Sequence, residues 1–248
     1  WSALFSASNV VRIKVNCLAG PGLSSHPELV GKIVLGLRLA GVAPRNIHIW
    51  ERSTQELARA GFKPDPAGIG GARIAGIDGR YDPEITFAGA VGGCFAPVVS
   101  RICTAHINVP VLKDHYLAGV GVGMKSFYGA IHNPNKYHEN HCDPFVADLC
   151  AHPLIRDRLR LVICDALNGQ YDGGPTRRPD RQWREDALML SRDPVALDAE
   201  AWRLLDEQRV QAGLKTIAED GREPRWLATA VRYGLGHADP ERIEAIRI

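Results

Sequence analysis

The chain has 248 residues, 45% hydrophobic and 23% charged, with a formal net charge of +2. That apolar fraction and small charge exclude disorder as the main state, and no apolar run reaches the roughly 18 residues of a membrane span. Near-balanced charge and an aromatic content of 7% also argue against nucleic-acid binding.

The first residues, Trp1 to Phe5, read as the tail of a helix and point to a segment upstream of Trp1. The compartment therefore stays open: cytoplasmic, or periplasmic if an export signal precedes. Val10 to Val15 alternates β-branched residues and predicts a strand. Ser25-His-Pro-Glu28 reads as a capping box, with an apolar stripe from Leu29 to Leu37 and Gly41 as the stop. Ile47 to Trp50 is the next strand, which completes a βαβ unit. Ser53-Thr-Gln-Glu56 is a second capping box, opening a short helix that Gly61 ends. Residues 62–93 are loop-rich, with Pro64-Asp-Pro66 and a short strand at Arg73 to Ile77.

Ala105 to Leu112 predicts a strand, and residues 119–131 a Gly-rich turn into a helix. Asp143-Pro144 reads as a cap and first-turn pair for a helix to about Cys150. Arg160 to Cys164 is a buried strand ending at Asp165, and Asn168 to Pro179 a Gly/Pro loop. Ala187 to Leu190 is a strand, Asp193-Pro194 opens a long helix to about Ala212, and Glu223-Pro224 opens the last, with a strand possible in the tail. Alternating strands and helices predict one α/β domain over residues 1–248. Its sheet is mostly parallel, with helices on both faces and a loop-rich middle. None of the six cysteines forms C-x-x-C, and buried thiols are the plain reading.

The chemistry concentrates between Pro110 and Asp143. Five of the nine histidines lie between His106 and His141, where an even spread would put about one. Lys113-Asp-His115 follows a strand end, where open α/β sheets bind ligands, and alternation points Lys113 and His115 the same way. A cation beside a histidine suits an anionic substrate, with His115 as general acid or base. Gly119-Val-Gly-Val-Gly-Met-Lys-Ser126 is a near miss to both the P-loop and the dinucleotide fingerprint, so nucleotide binding is a minor reading. Its glycines Gly119, Gly121 and Gly123 would still let backbone amides approach an anion. Lys125 adds charge, a cofactor tether or a Schiff-base amine, and Ser126 follows it. His138 and His141, three apart, would share one face of a helical turn and could ligate a metal. Asp165 sits where a buried strand runs out and is a candidate catalyst. Asp193 reads as a helix cap and Asp198 as part of a solvated face.

Several segments resemble a family. Ile13-Lys-Val-Asn16, Ser25-x-Pro27-Glu-Leu-Val30, Asn108 to His115, Gly123-Met-Lys-Ser126, Tyr128-Gly129, His138, Asp165-Ala166, Gly174-Pro175 and Asp193-Pro-Val-Ala-Leu-Asp198 are similar to the domain-of-unknown-function 362 family, from about residue 10 to residue 205. That resemblance implies residues before Trp1 and an association with iron–sulfur ferredoxin partners, although no ferredoxin cysteine run is present here. It also places Asn16 at the binding site.

A more distant resemblance is to lactate racemase, through the order His115, Gly119 to Gly123, Lys125, Gly129 and His138 or His141. It implies His115 as acid/base, Lys125 as the tether of a nickel-bearing cofactor, and His141 or His138 as metal ligand; iron is the other metal implied. Asn16-Cys-Leu-Ala19 stands where that enzyme has Asp-x-x-Arg. The resulting expectation is an isomerase or oxidoreductase. It would act on a small anion by metal- or cofactor-assisted proton or hydride transfer. The alternative is a non-catalytic metal or iron–sulfur accessory protein.

Overall fold

β-Branched and aliphatic runs supply the sheet, and two amphipathic stretches, the second capped by Ser53, supply its first helices. The structure, a computed structural model, describes residues 1–64, 68–101 and 103–247; Asp65 and Pro66 of the expected Pro64-Asp-Pro66 loop lie outside them. The first half contains β1 (Val11–Val15), α1 (Pro27–Leu39), β2 (Ile47–Glu51), α2 (Thr54–Arg59), β3 (Arg73–Gly76), β4 (Thr86–Ala88), β5 (Val91–Gly93) and α3 (Pro97–Ser100). Next come β6 (Ala105–Val109), β7 (Val111–His115), β8 (Gly119–Val120), α4 (Phe145–Ala151) and α5 (Pro153–Arg156). The chain closes with β9 (Leu159–Gln170), β10 (Gln182–Ser191), α6 (Pro194–Gln211) and α7 (Trp226–Arg232).

β3, β2, β1 and β6 pair in parallel, and β6 and β7 both pair in parallel with β9. β10 runs antiparallel on β9, and β8 folds back on β7. This is the expected mostly parallel α/β sheet. Val11, Ile13 and Val15 pack with Val30, Ile33, Val34 and Leu37 of α1. Leu112, Val162 and Cys164 belong to a second core with Val195, Leu197, Ala201 and Leu205 of α6 and Trp226 of α7. Helices thus cover both faces, because every central strand must bury both of its sides. No helix among the described residues is long and apolar enough to cross a membrane.

One feature of the sheet creates the cleft. Pro110, which has no amide hydrogen, separates β6 from β7. β1 pairs with β6 as far as Val15 opposite Val109 and then leaves the sheet. β7 continues without it and takes β8 in its place. The cleft opens at the carboxyl end of β1, the usual ligand position in such sheets, and Asn16 and Lys113 both line it.

Several local expectations change in the folded chain. Ser25 is not a helix cap: fully buried, it donates its hydroxyl to Val109 O (2.6 Å) and accepts from Asn16 N (2.8 Å). α1 has His26 at its cap position with no side-chain bond to the helix amides, whereas Ser53 caps α2 as expected. Trp1 to Phe5 forms turns, and Trp1 lies against Gly36 of α1. The Gly-rich segment gives β8 and then a 3₁₀ turn, Lys125–Ala130, instead of an α-helix. Asp143 does not cap α4 but accepts from Thr229 Oγ1 at 2.6 Å, with Pro144 at the cap position. β9 runs past Asp165 to Gln170, since β7 and β10 both pair with that stretch. The last helix begins at Trp226, and the described tail forms a 3₁₀ turn, Pro240–Arg242, with no strand.

The C-terminal part is tied to the sheet by charge. Asp114 is fully buried, and Arg222 reaches it at 2.9 Å while Gly174 N donates to it at 2.7 Å. Buried Arg209 binds Asp172 (2.6 Å) and Asp220 (2.9 Å), and Arg222 also meets Asp220. Removing one partner of such a pair leaves a charge without compensation. Arg222→Met is therefore expected to lower unfolding free energy by about 3 kcal/mol at pH 7, read by urea denaturation.

Candidate functional site

The cleft holds about 200 Å³ and is lined by residues from β1, β2, β7 and the loops that follow them. Lys14, the fourth residue of β1, points here, and its Nζ donates to Glu51 Oε2 (2.7 Å) and to Val15 O (2.6 Å). Glu51, the last residue of β2, also accepts from Arg52 N at 2.6 Å. Arg52 and Glu56 pair at the cleft wall. Gly129 is required where the 3₁₀ turn passes this floor: a Cβ there would lie 3.1 Å from Lys14 Cε and 3.4 Å from Glu51 Oε1.

Lys113 and His115 do point into the cleft together, while Asp114 between them turns the other way to Arg222. Lys113 is 2% exposed, and its Nζ donates to Asn16 Oδ1 at 2.7 Å. Burial pushes its ammonium down to about 8 against the opposing pull of Glu51. Lys125 is 8% exposed, and its Nζ donates to His138 Nε2 at 3.0 Å and sits 3.7 Å from the Tyr128 ring centroid. Burial, reinforced by Lys113, holds it down to about 8 as well, although Cys142 acts the other way. Among the described residues neither lysine has a carboxylate within ion-pairing distance.

The two histidines have defined tautomers. Leu117 N and Ala118 N both donate to His115 Nδ1 (3.1 and 3.2 Å), so the ring proton sits on Nε2. Burial, then the charges of Lys125, His138 and Lys113, push His115 down to about 2, and it stays neutral. His138 is the opposite tautomer: its Nδ1 faces Pro134 O (3.1 Å) and Asn135 O (3.2 Å), which only accept. Its Nε2 lone pair therefore faces Lys125. Burial and the Lys125 charge lower its pKa. The rings of His115 and His138 stack at 5.4 Å, and Tyr116 also stacks on His115 at 5.3 Å.

The glycine-rich segment holds an anion, but it is the protein's own. Gly123 N and Met124 N donate to the two oxygens of Asp198 at 2.5 and 2.8 Å. A Cβ on Gly123 would come within 2.8 Å of that carboxylate. Asp198 is 0% exposed and not on a solvated face, because α6 turns it into the sheet. Burial pushes it up to about 7 in spite of those two bonds. Asn108 completes the support: its amide donates to Gly123 O (2.6 Å) and its oxygen accepts from Ser126 Oγ (3.0 Å). Gly121 and Ser126 line the cleft, and Gly119 lies in the β7–β8 hairpin opposite His115.

Asp165 lies outside the cleft. Buried in β9, it accepts from His26 N (2.8 Å) and His26 Nδ1 (2.7 Å), docking the start of α1. His141 also points elsewhere, with Nδ1 toward Leu117 O at 3.1 Å, because Asn140 and His141 adopt left-handed backbone angles. It therefore shares no helical face with His138. Asp193 does cap α6. No three His, Cys, Asp or Glu side chains converge on a metal position among the described residues. Both ring nitrogens of His138 are already engaged, so these side chains do not fit the expected nickel or iron.

A comparison with protein-family models matches residues 11–203 to the family described as Domain of unknown function (DUF362). The chain belongs to that family. No curated protein and no solved structure matches. The DUF362 match covers every cleft residue from Lys14 to Pro175, together with Asp198, and stops short of Arg209 and Arg222.

Lys14, Glu51, Asn108, Tyr128 and Asp198 carry roles that residue patterns did not single out as binding positions. Lys14 and Asp198 do fall in segments that carry the family resemblance, but alternation and helix periodicity gave neither a binding role. Two substitutions test the site's construction. Asp198→Ala is expected to cost about 2–4 kcal/mol in urea unfolding, because two buried amides lose their acceptor. Lys113→Met is expected to raise unfolding free energy at pH 7 by roughly 1–3 kcal/mol, since an unpaired buried cation disappears. The unfolded chain holds that proton up to about 10.5 and the folded one only to about 8. Folding is penalised most below pH 8, so the variant's advantage should shrink as pH rises from 8 to 10.

Proposed function

We propose that the cleft binds a small carboxylate-bearing molecule and moves a proton at it, which makes this chain an acid–base enzyme. The observation that carries the reading is the presence of two buried lysines in one cleft with no carboxylate partner among the described residues. Leaving a cation dry and unpaired is costly. It is reasonable where a ligand anion supplies the missing charge, and strongly perturbed groups in a cleft mark functional sites.

The roles follow from the tautomers and the hydrogen bonds. Lys113, fixed by Asn16, anchors the carboxylate as a point charge. His115 presents Nε2–H to a substrate oxygen as a neutral donor; it cannot serve as base, because its other nitrogen is capped by two amides. The Lys125–His138 pair carries the mobile proton, since each partner is depressed and the two touch at 3.0 Å. General acid–base work of this type is efficient when pKa values lie near the working pH.

Calorimetric titration with acetate, lactate, pyruvate and succinate tests the reading. At least one is expected to bind, and Lys113→Met should weaken it by tenfold or more, about 1.4 kcal/mol. Binding should also weaken about tenfold between pH 7 and pH 9, as lysines titrating near 8 lose their charge. Proton movement is read by NMR in D₂O, as deuterium uptake at the carbon beside the carboxylate of acetate, lactate or succinate, or at the methyl carbon of pyruvate. Absence of binding by all four anions, or equal binding by the variant, overturns the assignment.

A further inference from the structure

We propose that Lys125 forms a covalent imine with the carbonyl carbon of a 2-oxo acid held in the cleft. The inference rests on the reading above and names both the substrate class and the bond formed.

The three cleft lysines are not equivalent. Lys14 gives its hydrogens to Glu51 and to a backbone carbonyl, partners that favour the ammonium form. Lys113 donates to the amide oxygen of Asn16, which cannot take a proton at neutral pH. Lys125 alone faces a base. His138 Nε2 offers a lone pair at 3.0 Å, and the carbonyls of Pro134 and Asn135 hold the ring in that tautomer. Nucleophile, base and orienting groups thus stand in sequence, the arrangement that activates a nucleophile. Burial supports it, since an ammonium held down to about 8 leaves about a tenth as free amine at pH 7.

The surroundings suit a 2-oxo acid. Its carboxylate takes the Lys113 ammonium, and its carbonyl oxygen takes His115 Nε2–H, whose ring stacks on His138. His138 accepts a proton from the Lys125 ammonium. The amine lone pair then adds to the carbonyl carbon, forming a C–N bond while the C=O pair moves to oxygen; the added nitrogen, now cationic, gives one of its protons to that oxygen and regains its lone pair. His138 returns its proton to the hydroxyl, the C–O bond breaks, water leaves, and the nitrogen lone pair closes the iminium. The sum is ammonium plus ketone giving iminium plus water, with no oxidant or reductant. The iminium then acts as an electron sink that makes a neighbouring C–H bond acidic, the proton step assigned above.

The test is reductive trapping. The full chain is mixed with pyruvate and sodium cyanoborohydride and read by intact mass and peptide mapping. One reduced pyruvate per chain is expected on Lys125, and Lys125→Ala, with an unchanged circular dichroism spectrum, should give none. Should that variant fail to fold, His138→Gln serves instead: Lys125 remains, and trapping should slow by about tenfold or more. Adducts scattered over surface lysines, an adduct on Lys113, or an unchanged rate in His138→Gln overturns the proposal. Pyruvate that binds by calorimetry in a Lys113-dependent way yet gives no Lys125 adduct overturns the imine and leaves the anion site standing. Neither binding nor trapping overturns both.

Discussion

The carboxylate of Asp198 organises this molecule. It arrives on α6, late in the chain, and takes the two amide hydrogens at the entrance to the turn that carries Lys125 and Ser126. Without that acceptor, the amides of Gly123 and Met124 would be buried and unpaired, so the turn would have no reason to hold its shape. Asn108 braces the same turn from β6, and Gly129 lets its far end approach the Lys14–Glu51 pair. Lys125 owes its place in the cleft to contacts with three separate parts of the chain.

A second constraint is electrostatic. Two ammoniums are kept dry with no carboxylate paired to them among the described residues, whereas Lys14, Arg209 and Asp114 have counter-charges and Asp198 is held by amide donors. The Asp114–Arg222 pair shows that this chain builds compensated charges where stability is the purpose. The cleft does the reverse, and the contrast marks the lysines as functional more clearly than their burial alone would. Stability given up at a binding site is a common pattern.

Much of the fold was legible from periodicity. β1, α1, β2 and α6 follow from alternation, an apolar stripe and the Asp193-Pro194 cap, since each signal lies within about one turn of the residues it controls. Lys113 and His115 were legible for the same reason, as alternation along a strand decides which side a residue faces. The acceptor at the glycine-rich turn was not. Its amides looked free for a ligand, and the residue that occupies them stands 75 positions away. The place of Asp165 was not legible either, because its partner His26 stands 139 positions away. His138 and His141 separate because of left-handed backbone at Asn140 and His141, which three-residue spacing does not encode.

The ties made by Arg209 and Arg222 bear on where the folding unit ends. The family match stops at residue 203, in the middle of α6, and α6 runs on to Gln211. Asp114, in the middle of β7, finds its counter-charge only at Arg222, and Trp226 donates to Ala118 O at 3.0 Å just beyond that strand. The segment from 204 to about 230 therefore supplies core side chains and a counter-charge to the sheet and is no appendage. A fragment cut at the edge of the conserved-family region would split a helix and leave a bare carboxylate at the back of the cleft wall, so the autonomous unit is longer than the region by which the family is recognised.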